Sequence, residues 1–336
     1  MFELLGLSLL LAALLTFNSV ATFVIAGLWR IAGRTTDNWT AAARARLLFS
    51  LRILPPVLAF LTVSLLVGPA YLAHEPRQAA ETVSFKLALL AIFSATGIAV
   101  SIYRGIGTHR ATANLTSDWL RQGKPIQIPG IDIRSYEIRH AFPLIGIVGF
   151  LRPRLFIASQ VLEVLTPEEI SAAVAHENGH LTARDNLKRG LLQACRNSLL
   201  IIPCGRLLDR SWSEASEEAA DENAARRGNA VALDLASALV KIARIIPLGG
   251  RPAMPAGVFL LGLLGDEETK GIKSRVRRLI ALATTERKGS HYDVFTNLVV
   301  WAPATMLLIG FVIAATNPYL LARVHHLIEH AVFVLS

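Results

Sequence analysis

Within AVAHENGHLTARDNL stand His176, Glu177 and His180. If this stretch is helical, the two histidines lie on one face about 6 Å apart and can share one metal ion. Glu177 is turned by roughly 100° from His176, which sets its carboxylate beside such an ion rather than on it. The arrangement suits zinc. Imidazole nitrogens bind zinc at about 2.0–2.1 Å, and a catalytic zinc keeps one of four positions for water. A carboxylate within one hydrogen bond of that water is a general base. Paired histidines also occur on ordinary half-buried helix faces, so the chemistry needs a third ligand and a helix to hold the first two.

The helix is signalled upstream. Thr166-Pro167-Glu168-Glu169 combines an N-cap, a proline at the first helical position and a capping-box glutamate. The pattern then runs as one helix through EEISAAVAHENGHLTARDNL, with Asp185 near its end. Gly179 costs up to about 1 kcal/mol in a helix interior, and its missing side chain admits a neighbouring helix closely. A second helix is predicted in DRSWSEASEEAADENAARRG, with Ser211-x-x-Glu214 as a capping box and Gly228 as the stop. There Glu217 and Asp221 share a face. A carboxylate ligand one turn before a carboxylate that accepts a ligand histidine's other N–H has this spacing. By spacing alone, Glu218 and Glu222 compete, and a solvated acidic face is the plain alternative.

These helices must sit in an unusual chain. It has 336 residues, 53% of them hydrophobic and 18% charged, with a net charge of +9. A soluble domain carries about a quarter charged residues. Four apolar stretches, about 3–28, 53–73, 86–103 and 294–316, each give the roughly 20 residues a membrane crossing needs. The first lacks a basic leader and continues past signal-peptide length, so a retained span is expected. Arg30, Arg34, Arg44, Arg46 and Arg52 crowd the first loop, while 74–86 is nearly balanced. The positive-inside rule puts the first loop and 104–292 in the cytoplasm and both termini outside. No basic patch is interleaved with aromatics, so nucleic acid is not expected as a partner. Cys195 and Cys204 form no CxxC and suggest neither a disulfide framework nor a thiolate site. In the polar segment, QIPGIDIRSYEI reads as strand, and GIVGFLRPRLFIAS as a strand pair turning at Arg152-Pro153.

His176-Glu177-x-x-His180 followed by Glu217-x-Ala-Ala-Asp221 in EEAAD resembles the gluzincin metalloproteases. The flanks GFLRPRLFIAS, LTPEEISAAVAHENGHLTARDN, SEEAADENA and IKSRVRRLI are similar to the BlaR/MecR-type (antirepressor) membrane zinc metallopeptidases. The likeness covers about 140–318 by motif and 1–105 by topology. It implies His176, His180 and Glu217 as zinc ligands, Glu177 as general base, and Asp221 as the group that orients a ligand histidine. Two departures stand out. Asn178-Gly179 replaces a small apolar pair, and about 18 residues follow the fourth span where the family has a large sensor domain.

The expected fold is a mainly α membrane protein: four transmembrane helices with a cytoplasmic α+β gluzincin-type zinc protease domain. Its parts are a membrane region, 1–105, a protease domain, 106–292, a fourth span, 293–318, and a short extracytoplasmic tail, 319–336. The expected function is hydrolysis of peptide bonds in a cytoplasmic or juxtamembrane protein, itself included, in signal-transducing proteolysis at a bacterial inner membrane. The expected partners are a protein substrate, the lipid bilayer and a separate sensor or repressor. A quality-control protease of the heat-shock or prenyl-protease type is the alternative within the class. A non-enzymatic zinc-binding signalling scaffold is the alternative outside it. His109, His140 and Tyr136 are candidates for oxyanion support. His325, His326 and His330 read as the polar face of an interfacial helix. The tract 190–208 reads as a core or membrane-apposed helix, and 257–271 as a loop beside the site.

Overall fold

The computed structural model describes residues 2–76, 83–128, 133–149, 152–199, 205–246, 268–284 and 305–335. The chain is mostly helical. Helix α1 spans Phe2–Ala32 and α2 Ala41–Thr62. A π-turn at Val63–Val67 continues α2 into α3, Gly68–His74, and α4 follows at Phe85–Gln122. These make three helices long and apolar enough to cross a membrane. Large apolar side chains such as Leu7, Phe23, Phe60 and Ile92 stand exposed on them, as lipid contact requires. A bent pair, α11 at Thr305–Ala315 and α12 at Pro318–Leu335, meets at 88° and makes a fourth span if counted as one. The first half of the predicted fourth span, before residue 305, and most of the predicted loop 257–271 lie outside the described residues.

Helix α4 does not stop where its apolar stretch ends. It continues to Gln122 and carries Trp119 into the core of the polar segment, edge-on to Phe156 at 5.1 Å between ring centroids. Four strands follow: β1 Lys124–Ile126, β2 Ser135–Ile138, β3 Ile145–Val148 and β4 Arg154–Ala158, in sheet order β1-β2-β4-β3. The predicted hairpin is therefore β3–β4, antiparallel, with Ile145 opposite Ile157. QIPGIDIRSYEI begins just past β1 and holds all of β2, with 129–132 outside the described residues. The sheet's buried Ile, Leu and Val side chains share one core with α6, Pro167–Ala183, and α9, Asn229–Ile245. Short α5, Ser159–Val164, precedes α6; α7 is Asp185–Ser198, α8 Arg206–Ala225 and α10 Glu268–Thr284.

The capping box holds as predicted. Thr166 Oγ1 accepts from Glu169 N, and Glu169 accepts from Thr166 N at 2.9 Å. Two helix boundaries differ from the prediction. The first helix breaks at Arg184, which adopts the left-handed conformation with φ 55°, so Asp185 opens α7 rather than ending α6. The second begins at Arg206, so Ser211 is interior; its hydroxyl accepts from Trp29 Nε1 at 3.3 Å, and Glu214 pairs with Arg210 on the surface. Tract 190–208 contributes the end of α7 and the start of α8, with 200–204 outside the described residues. In the tail, His326 and His330 are exposed as expected. His325 instead turns inward, its Nε2 3.4 Å from Glu329 and 3.9 Å from Glu75.

The membrane helices meet the site helices through a small core of Trp29, Ala45, Leu48, Leu192, Leu208 and Trp212. Beside it Arg52 of α2 is fully buried and gives Nε to Asp209 of α8 at 3.0 Å. Removing one partner of a buried pair strands the other, at about 3–5 kcal/mol, whereas an apolar replacement of both is often neutral. Asp209→Ala should therefore lose about 3–5 kcal/mol of unfolding free energy in detergent. The double variant Arg52→Met, Asp209→Leu should regain most of it. Equal losses in the single and double variants would show that packing, not charge, holds this joint.

Candidate metal centre

The site is built where α6 and α8 cross. Gly179 is what lets them approach: a Cβ there would lie 3.0 Å from Ala220 Cα. This contact fixes the register of α8 against the HENGH stretch. Asn178 is half-buried, and nothing in the structure explains its amide.

His176, Glu177 and His180 are all buried. The two Nε2 atoms face each other at 3.2 Å. Glu217 closes the third side, its oxygens 3.7 Å from His176 Nε2 and 3.8 Å from His180 Nε2. These three side chains form the metal-ligand cluster found among the described residues. Glu217 and Asp221 face inward as the resemblance implies. Glu218 and Glu222 turn to the other side of α8 and pair with Arg278 of α10.

Each histidine is held from behind by a carboxylate. Asp221 Oδ1 lies 2.9 Å from His176 Nδ1, and Asp185 Oδ2 lies 2.9 Å from His180 Nδ1. The Asp185 contact is a well-aligned hydrogen bond; the Asp221 contact is as short but less well aligned. A carboxylate at Nδ1 keeps the proton there, so Nε2 is an acceptor. Burial also pushes the His176 pKa down, against the pull of Asp221. Two acceptors at 3.2 Å beside a carboxylate repel one another unless a cation lies between them. Zinc–nitrogen bonds of about 2.05 Å at a tetrahedral angle place two nitrogens about 3.3 Å apart. The donor set therefore fits zinc.

The supporting charges come from residues the sequence did not mark. Arg275 on α10 donates to both Asp221 oxygens, at 2.9 and 2.7 Å, and lies 3.0 Å from Glu217. Burial alone would raise the Asp221 pKa. The Arg275 charge and the His176 contact instead hold it well below the usual carboxylate range. Glu177 has no such clamp. Burial, then the charge of Glu217, drive its pKa well up, and Ile147, Arg275 and Arg189 oppose the shift without reversing it. Asp185 stands five residues past His180, where an acid can help fix the site or hold arginines of a neighbouring helix. Arg184 bends the chain so that this carboxylate returns to the ring. Of the candidates for oxyanion support, Tyr136 stacks on Phe156, and His140 sits edge-on to Trp119. His109 lines a groove between α4 and α7.

A cleft of about 350 Å³ reaches His180 from the β3 edge, lined also by Ile147, Leu181 and Asn186. Set against known families, the chain is matched by the model of peptidase family M48 over residues 144–331, more than half of its length. Among curated proteins none matches the chain. The family match spans every residue of the ligand set and both supporting aspartates.

Two substitutions test the centre. Gly179→Val should force α8 away at Ala220 and lower zinc content in the purified protein. Asp185→Asn should weaken zinc affinity by about 10- to 100-fold, the usual loss when a group behind a ligand is changed. A chelator competition reads both, and full zinc affinity in Asp185→Asn would remove Asp185 from its assigned role.

Proposed function

The chain belongs to peptidase family M48, and from that premise we propose that it is a membrane-anchored zinc endopeptidase serving regulatory proteolysis. Its substrate is a cytoplasmic or juxtamembrane protein, its own chain included. The observation that carries the reading is Glu177. It is fully buried beside the ligand set, and neither oxygen has a well-formed hydrogen bond among the described residues. A purely structural zinc site is closed by its ligands and has no use for such a group.

His176, His180 and Glu217 would hold the metal. When bound, zinc supplies a Lewis acid and lowers the pKa of a bound water from 15.7 to about 7. The protein's own part is proton handling and alignment. Glu177 takes the proton of the attacking water and returns it to the leaving amine, the task of a carboxylate whose pKa is raised. Asp221 and Asp185 keep both imidazoles in the ligand tautomer, and Arg275 keeps Asp221 ionised. An extended substrate lies along the open edge of β3, which borders the cleft.

Several observations support the membrane setting. Three apolar helices precede the site, and the arginine-rich first loop packs on its side of the bundle: Ala41 N donates to Glu222 at 3.2 Å. With the positive-inside rule this favours a cytoplasmic site at a bacterial inner membrane. The antirepressor-type flanks favour a signalling role, with a separate sensor or repressor as partner.

Glu177→Ala tests the reading. Purified in detergent, it should keep one zinc per chain and lose at least about 100-fold in cleavage of fluorescent casein, the scale of general-base catalysis. Cleavage at the wild-type rate in this variant would sink the mechanism. Wild type that holds no zinc would sink the site.

A further inference from the structure

The open edge of β3 is already taken. Leu144 O accepts from Ala158 N at 2.8 Å, which makes Leu144 and Ala158 a hydrogen-bonded pair. Pairs alternate along an antiparallel ladder. Gly146 and Val148 therefore bond to β4, while Ile145 and Ile147 turn their main-chain groups to the free edge. There the Asn186 side chain gives its Nδ2 to Ile147 O at 3.0 Å and to Gly149 O at 3.2 Å. These carbonyls are two residues apart, the spacing at which a paired strand places donors. The amide is nearly buried, and its Oδ1 has no partner among the described residues. It is thus held at its donor end and free at its acceptor end. It also lines the cleft that leads to His180.

We propose that Asn186 occupies the substrate's place on β3, and that an extended peptide takes the Ile147 carbonyl from it on binding. This rests on the protease reading and adds a residue that sets substrate affinity. An amide N–H is the group a peptide main chain would offer, so the exchange replaces like with like. The Ile147 carbonyl thus has a donor both before and after the exchange. The displaced amide moves into the cleft mouth, where water satisfies it. Asn186 is therefore a competitor of the substrate: weak enough to be displaced, and present enough to tax every binding event. A structural brace between α7 and β3 would behave in the opposite way, since its loss would loosen the edge that the substrate needs.

The test measures binding apart from catalysis. A fluorescent β-casein peptide is titrated into zinc-loaded Glu177→Ala protein, with and without Asn186→Ala, and followed by anisotropy. The Asn186→Ala change should tighten Kd by about five- to tenfold. Asn186→Asp, nearly isosteric but without the donor, should do the same and guards against a packing defect in the alanine variant. In protein with Glu177 intact, the gain should appear in KM and not in kcat, as expected for uniform binding. Kd unchanged or weakened in both variants overturns the proposal, because Asn186 is then a brace. Absence of any peptide binding with zinc in place counts instead against the protease reading.

Discussion

Two imidazole nitrogens 3.2 Å apart, both acceptors, are the constraint on which the site depends. Left alone they repel, and the Glu217 carboxylate beside them adds to the repulsion. The surrounding residues make this arrangement unavoidable rather than relieving it. Asp221 and Asp185 hold the protons on the far ring nitrogens, so neither ring can shift that proton to Nε2 without losing its hydrogen bond to a charged partner. Four carboxylates, Glu177, Glu217, Asp221 and Asp185, gather against two enclosed arginines, Arg275 and Arg189. Lys188 reaches Asp185 from the rim at 3.3 Å. A divalent cation held by His176, His180 and Glu217 would supply the positive charge that the side chains withhold. Because Arg275 is spent on Asp221 and Glu217, Glu177 is the carboxylate left with a strongly raised pKa.

The same constraint explains the alanine-rich, glycine-containing helices. Three ligands on two helices can converge only if the helix axes are close. Gly179 on α6 faces Ala220 on α8, with Ala172, Ala173 and Ala175 buried along α6 and Ala215 and Ala224 along α8. A glycine in a helix interior costs up to about 1 kcal/mol. Here it is placed where a side chain would push Glu217 out of reach. The left-handed Arg184 is a second local cost, of roughly 1–2 kcal/mol for a non-glycine residue. It returns Asp185 to His180 across a helix break that continuous helix geometry would forbid.

Features with a local periodicity or cap were legible in the sequence. The capping box at Thr166, the facing pair His176 and His180, the hairpin at Arg152-Pro153 and three long apolar helices all follow from residues near one another in the chain. The break at Arg184 was not legible, because no glycine or proline marks it; the signal is tertiary, a hydrogen bond from a ring in the preceding helix. The false capping box at Ser211 has the same origin. That serine is held by Trp29 from a distant helix, so the local pattern points to a boundary that packing overrides. The choice between Glu217 and Glu218 needed α10, whose two arginines sort the acidic run into an inner face and an outer one. An Arg-rich helix was visible in IKSRVRRLI, yet nothing local assigns Arg275 to one face and Arg278 to the other.

The three ligands are not supported by the same part of the molecule. His176 and His180 stand on α6, which is fixed by the sheet core and, through Glu169, by Lys241 and Ser237 of α9. Glu217 stands on α8, between two anchors that lead to α2. Asp209 binds Arg52 within α2, and Glu222 accepts from Ala41 N, at the helix start where unsatisfied N–H groups favour an anion. Arg278 holds Glu222 from the other side. Glu217 is thus set by a helix long and apolar enough to cross a membrane, and His176 and His180 by the polar domain. Closing the ligand set therefore requires the two parts to be in register, which makes the joint at Trp29, Leu48, Leu208 and Trp212 as much a part of the metal centre as the residues that face the ion.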